Sequence, residues 1–198
     1  MSLASRLLAP LTGKRTRLGL FRHPSTEIIL DLENDTNAEL FRKFKEGISR
    51  APKELHVELV GVGYPSPDIV LAIWDLVEAS KELGLSVSTW ARSSLYDSGL
   101  LLWLMGDKRR IRRSTGFFQI SCIDRLDRED WGTWKSQTPH MVFSEPGWVS
   151  NYREVFRLMN QFIPARELAD KRQKMEVLAE YGLLQGQASD WELVLKTD

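Results

Sequence analysis

The chain has 198 residues, 42% of them hydrophobic and 27% charged, and its 27 Lys and Arg balance its 27 Asp and Glu. That composition excludes an intrinsically disordered chain, and the length fits one ordinary domain with a core of its own. A zero net charge favours neither polyanions nor acidic membranes, and the single Cys122 excludes an intrachain disulfide framework and a cysteine-rich zinc site.

Residues 1–26 hold Arg6, Lys14, Arg15, Arg17 and Arg22 but no carboxylate and no apolar run of signal-peptide length. They read as a basic N-terminal arm, leaving one domain over 27–198. No apolar run approaches the roughly 18 residues of a membrane span, so no membrane contact and a cytoplasmic location are expected. Cys122 is expected to serve as a small buried apolar residue.

Thr26 to Leu32 is β-rich and predicts a strand at 27–32. Asp35 or Thr36 then caps a helix to Arg50, with Leu40, Phe41, Phe44 and Ile48 on one face. Leu55 to Val62 is apolar nearly throughout, which predicts a strand covered on both faces of a parallel sheet. After the irregular Gly63-Tyr64-Pro65-Ser66-Pro67 a helix is predicted over 68–83, and Leu85 to Ala91 forms the next strand. A polar stretch, Arg92 to Asp97, leads into an all-round apolar and therefore buried helix, Ser98 to Met105.

Lys108 to Arg113 is a basic cluster, read as a solvated turn in preference to a nucleic-acid contact. Gly116 to Ile120 is a further strand. Residues 122–150, with Trp131, Trp134, Trp148, Pro139 and Pro146, read as an irregular excursion or interface element, and helices are predicted over 152–162 and 165–181.

No glycine-rich phosphate loop is present, and His23, His56 and His140 are too dispersed for a recognisable metal site, so no cofactor and no metal are expected. Ser93, Ser94 and Ser98 cluster at a strand-to-helix junction, where serines commonly cap helices.

Several of these segments together resemble the superfamily of the Clp-type serine peptidase subunit and the crotonases. The resemblance rests on Ala72-Ile73-Trp74-Asp75 following the Pro-rich loop, Ser93-x-x-Tyr96-Asp97-Ser98-Gly99, the apolar Leu100 to Met105, Gly106-Asp107-Lys108, and Leu178-Ala179-Glu180-Tyr181-Gly182-Leu183-Leu184. It covers residues 27–121 and resumes over 174–185. It implies an α/β fold, ClpP/crotonase-like, of repeated β-β-α units with a C-terminal helical region. It also implies self-assembly into trimers, hexamers or rings, with an active paralogue as a further partner to consider.

The same alignment sets Asp97 where the peptidase family has its nucleophilic serine and Ser121 where it has its general-base histidine. Pro65 and Ser66 replace the Gly-Gly of the oxyanion loop, and proline has no amide hydrogen to donate. Nucleophile, base and oxyanion donor act as a unit, so the expectation is a non-catalytic protein serving as an oligomeric scaffold or regulatory subunit. Two enzyme readings stand beside it. One is a crotonase-like acyl-thioester enzyme using Asp97, set against Asp97 as a plain helix cap. The other is an atypical serine hydrolase or peptidase using Ser94 or Ser98 with His140. Nucleic-acid binding through 108–113 ranks last.

Overall fold

The computed structural model describes residues 25–111, 116–120 and 147–184, with the side chains of Trp148 and Val149 left aside. Its elements are β1 (Ser25–Asp31), α1 (Asn37–Ser49), β2 (Glu54–Val60), α2 (Pro67–Lys81), β3 (Ser86–Ala91), β4 (Leu95–Tyr96), α3 (Ser98–Leu104), β5 (Lys108–Ile111), β6 (Phe117–Gln119), α4 (Trp148–Met159), α5 (Ala165–Leu168), β7 (Gln173–Lys174) and α6 (Val177–Glu180). Two sheets result. The larger is wholly parallel in the order β1-β2-β3-β5, and the smaller runs β4-β6-β7 with β6 and β7 antiparallel.

Strand alternation decides what the larger sheet buries. In register, Leu30, Leu59, Ala91 and Ile111 form one inward row, and Val57 and Thr89 belong to the next. All six are buried. On this side lie α1, whose Leu40, Phe44 and Ile48 are buried as their spacing predicts, and α2 with Val70, Ile73, Leu76 and Val77. α3 is buried at every position from Ser98 to Leu104, as an all-round apolar helix must be. α4 packs across α2 and α3.

α1 starts on a reciprocal cap. Thr36 Oγ1 accepts from the Glu39 N–H at 3.3 Å while Glu39 Oε2 accepts from the Thr36 N–H at 2.8 Å. Thr36→Ala is expected to lower unfolding free energy by about 1 kcal/mol, read as a lower urea midpoint with an unchanged denaturant slope.

Four expectations need correction. The second face of β2 is only partly covered among the described residues: Glu58 is buried there, but Glu54, His56 and Val60 are part-exposed and Ile29 beside them on β1 is 51% exposed. The basic run is not a turn. Its described part is an edge strand, β5, because the row of β3 offers it a parallel ladder. Leu95 and Tyr96, read as part of a polar connection, form a short strand against β6.

The predicted helix 165–181 breaks after Leu168. Ala169 is extended, Asp170 takes a positive φ of 62°, and Gln173 and Lys174 pair with β6. The Asp170 N–H donates to Ile120 O at 2.7 Å, so tertiary pairing outweighs helix propensity there. Arm residues 1–24, Ser121, Cys122, His140 and the Trp131 and Trp134 region lie outside the described residues.

Candidate functional site

β4 ends at Tyr96 and α3 begins at Ser98, so Asp97 alone makes the strand-to-helix turn. It does so at φ 44°, ψ −119°, a conformation glycine adopts freely and an L-residue holds only under strain. Its N–H donates to Gln119 O on β6 at 2.9 Å, which fixes the turn to the small sheet. A sharp strand-to-helix turn of this kind lifts one side chain above a helix N-terminus, and it is how nucleophile elbows are built.

The carboxylate is 3% exposed, and its Oδ1 accepts a hydrogen bond from the Tyr152 hydroxyl of α4 at 2.6 Å. Asp97 is the N-cap residue of α3, its carbonyl oxygen accepting from the Leu100 N–H at 3.0 Å, but its side chain makes no capping bond to the helix. The physical reason is the backbone: at this ψ the side chain is carried away from the amides of the first turn and toward α4. Tyr152 was not legible as a site residue. The only signal was a phenol on a helix whose Val155, Phe156 and Met159 are buried, where the hydroxyl must find a partner.

Ser98, the next residue, is buried and donates its hydroxyl to Pro65 O. Ser94 is buried too, and its Oγ accepts from the Phe117 N–H at 3.5 Å. Both serines therefore hold parts of the fold together. Their expected base, His140, and the position expected to replace a base, Ser121, fall outside the described residues.

The loop before α2 closes over the N-terminus of α3. Pro65 is buried, and a Cβ placed on Gly99 would lie 3.6 Å from Pro65 Cδ, in ordinary contact. Ser66, the N-cap residue of α2, has its N–H occupied by Asn37 Oδ1 at 3.0 Å, and its hydroxyl donates to Asp68. Neither Pro65 nor Ser66 thus presents a free amide to a developing oxyanion. Gly63, two residues earlier, passes so close to β1 that an added Cβ would lie 1.6 Å from Leu32 O.

An aromatic chain borders the turn. The Tyr64 and Tyr96 rings are 4.9 Å apart, Tyr96 meets Phe117 edge-on at 5.6 Å, and the Arg172 guanidinium lies 3.9 Å above Phe117. Burial pushes the Tyr64 hydroxyl up in pKa; Tyr96 and Asp97 add to the rise and Arg172 opposes it.

The basic run is divided by strand alternation. Lys108 reaches Glu54 at 3.2 Å, while Arg109 points the other way, donates to Leu104 O at 2.9 and 2.7 Å and covers Phe162. Burial draws the Arg109 pKa down. A continuous cationic surface of the kind that tracks phosphates is not formed by residues 108–111. Among the described residues, no group of three His, Cys, Asp or Glu could hold a metal ion, and no helix is long and apolar enough to cross a membrane.

No family model matches the chain, and no curated protein does. Solved structures do match. A protein from Bordetella parapertussis described as an enoyl-CoA hydratase/isomerase superposes with a TM-score of 0.57 at 11% identity, over 89% of this chain and 75% of that one. The ClpP protease catalytic domain from Plasmodium falciparum gives 0.55 at 11% identity, over 83% and 86%. A ClpP1 mutant from Listeria monocytogenes gives 0.52 at 9% identity, over 85% and 94%. With helices on one side of a parallel sheet and a single-residue turn leading into a buried central helix, the chain has the ClpP/crotonase-like α/β fold.

Proposed function

We propose that this protein is a non-catalytic ClpP/crotonase-like protein that acts as a self-assembling scaffold or regulatory subunit. The observation that carries the reading is the occupied turn: Asp97, which the sequence resemblance sets at the peptidases' serine position, is a buried carboxylate held by Tyr152. Among the described residues, the groups of the matching oxyanion loop and the hydroxyl beside the turn have nothing to offer acyl transfer. Pro65 has no N–H, the Ser66 N–H is given to Asn37, and the Ser98 hydroxyl is given to Pro65 O. A carboxylate cannot replace a serine in forming an acyl-enzyme ester that water then cleaves.

The test is a fluorophosphonate probe applied to the protein and to Asp97→Ser. Neither is expected to be labelled, because restoring a hydroxyl at the turn restores neither a base nor an oxyanion donor. Labelling that survives in the native chain and disappears in Ser94→Ala or Ser98→Ala would overturn the reading in favour of a serine hydrolase. Light scattering on the same sample is expected to give a mass above that of one chain.

One observation favours a second reading. A buried carboxylate with a tyrosine donor, held on a strained backbone, is the sort of group that moves protons beside a carbonyl. An acyl-CoA panel in a thermal-shift assay separates the two. No shift is expected; a saturable rise that Asp97→Asn abolishes would assign acyl-thioester chemistry to Asp97.

A further inference from the structure

We infer that the open face of the large sheet is an interface between two copies of this chain. The inference rests on the self-assembly proposed above and names its surface. Wholly parallel sheets are ordinarily covered on both faces, and among the described residues the helices cover one. The other face carries two registered rows, Glu27-His56-Ser88-Lys108 and Ile29-Glu58-Trp90-Arg110. It is not a random polar surface. Its β1–β2 half carries Glu27, Asp31, Glu54 and the buried Glu58 and no Lys or Arg, whereas its β3–β5 half, extended by Arg92, carries Arg92, Lys108 and Arg110 and no carboxylate.

Part of this charge is already neutralised within the chain. Arg92 reaches Glu58 at 2.7 Å while covering Trp90, and Lys108 reaches Glu54 at 3.2 Å. The two corners of the face remain. Glu27 on β1 and Arg110 on β5 are exposed, and neither has an ion-pair partner among the described residues. Ile29, exposed beside Glu27, is the large apolar residue on this edge.

Charge sign chooses the arrangement. A two-fold axis running along the strands, between β2 and β3, lays β1 of one copy over β5 of the other at the roughly 10 Å spacing of stacked sheets. Glu27 of each copy then meets the Lys108 and Arg110 edge of the other, and Ile29 packs against the aliphatic stem of Arg110. The alternative two-fold, across the strands, would set β5 over β5 and cation over cation, which costs association.

Sedimentation of the full chain over a concentration series tests this. Glu27→Arg and Arg110→Glu are each expected to raise the dissociation constant at least about tenfold by placing like charges together. The double variant Glu27→Arg/Arg110→Glu is expected to restore it, which a mere loss of folding cannot do. Circular dichroism melts of the exposed-site variants should match the native chain. Single reversals that weaken assembly without rescue by the double variant overturn the pairing. An assembly unmoved by either reversal overturns the face and leaves self-assembly standing. A native chain that sediments as a monomer overturns both.

Discussion

Gly63→Ala is expected to destabilise the protein by about 3 kcal/mol or more, read as a fall in both thermal and urea midpoints. An added Cβ would sit 1.6 Å from Leu32 O, and that obstacle is backbone, so no side-chain rotation relieves it. Either β1 must withdraw from the loop or the loop must lift from β1. Gly61, two residues before, is constrained less severely: it has φ 71° and its missing Cβ would lie 2.6 Å from the side-chain atom Asp31 Oδ1. The loop from Gly61 to Ser66 is thus seated on the end of β1. From there it carries Pro65 onto Gly99 and offers Pro65 O to Ser98. Loosening Gly63 is expected to loosen the cover over Asp97 as well, and faster amide exchange over 98–101 would report it.

Much of the fold was legible because its signals are local and repeated. The capped start of α1 at Thr36, its Leu40, Phe44, Ile48 spacing and the buried run of α3 all rest on periodicity that holds within one element. The open face of β2 was not legible. Glu54, His56 and Glu58 alternate with Leu55, Val57 and Leu59, but His56 and Glu58 gain partners far away in sequence, Ser88 on β3 and Arg92 just after it. The pieces of 165–181 failed for a related reason: an apolar helical pattern persists through them, but β7 exists only because β6 is beside it. At the site, Asp97 could be singled out by alignment on its glycines. Its partner could not, since Tyr152 lies 55 residues on and no local pattern links the two.

The bond between Asp97 and Tyr152 gives the last prediction and bears on function as much as on stability. Tyr152→Phe removes a donor from a buried carboxylate and is expected to cost about 2 kcal/mol. Asp97→Ala removes the acceptor, and a double-mutant cycle between the two positions should give a coupling of about 1 to 3 kcal/mol. Asp97→Gly separates the side chain from the backbone. Glycine loses the same carboxylate but occupies φ 44° without strain, so the glycine variant is expected to be more stable than the alanine variant by about 1 kcal/mol. If the carboxylate is structural, as the non-catalytic reading requires, all three replacements lie below the native protein in stability. Should Asp97→Gly instead prove more stable than the native chain, the carboxylate would be a group kept against the preference of the fold, as active-site residues are. Asp97 would then be assigned to proton transfer and the scaffold reading abandoned.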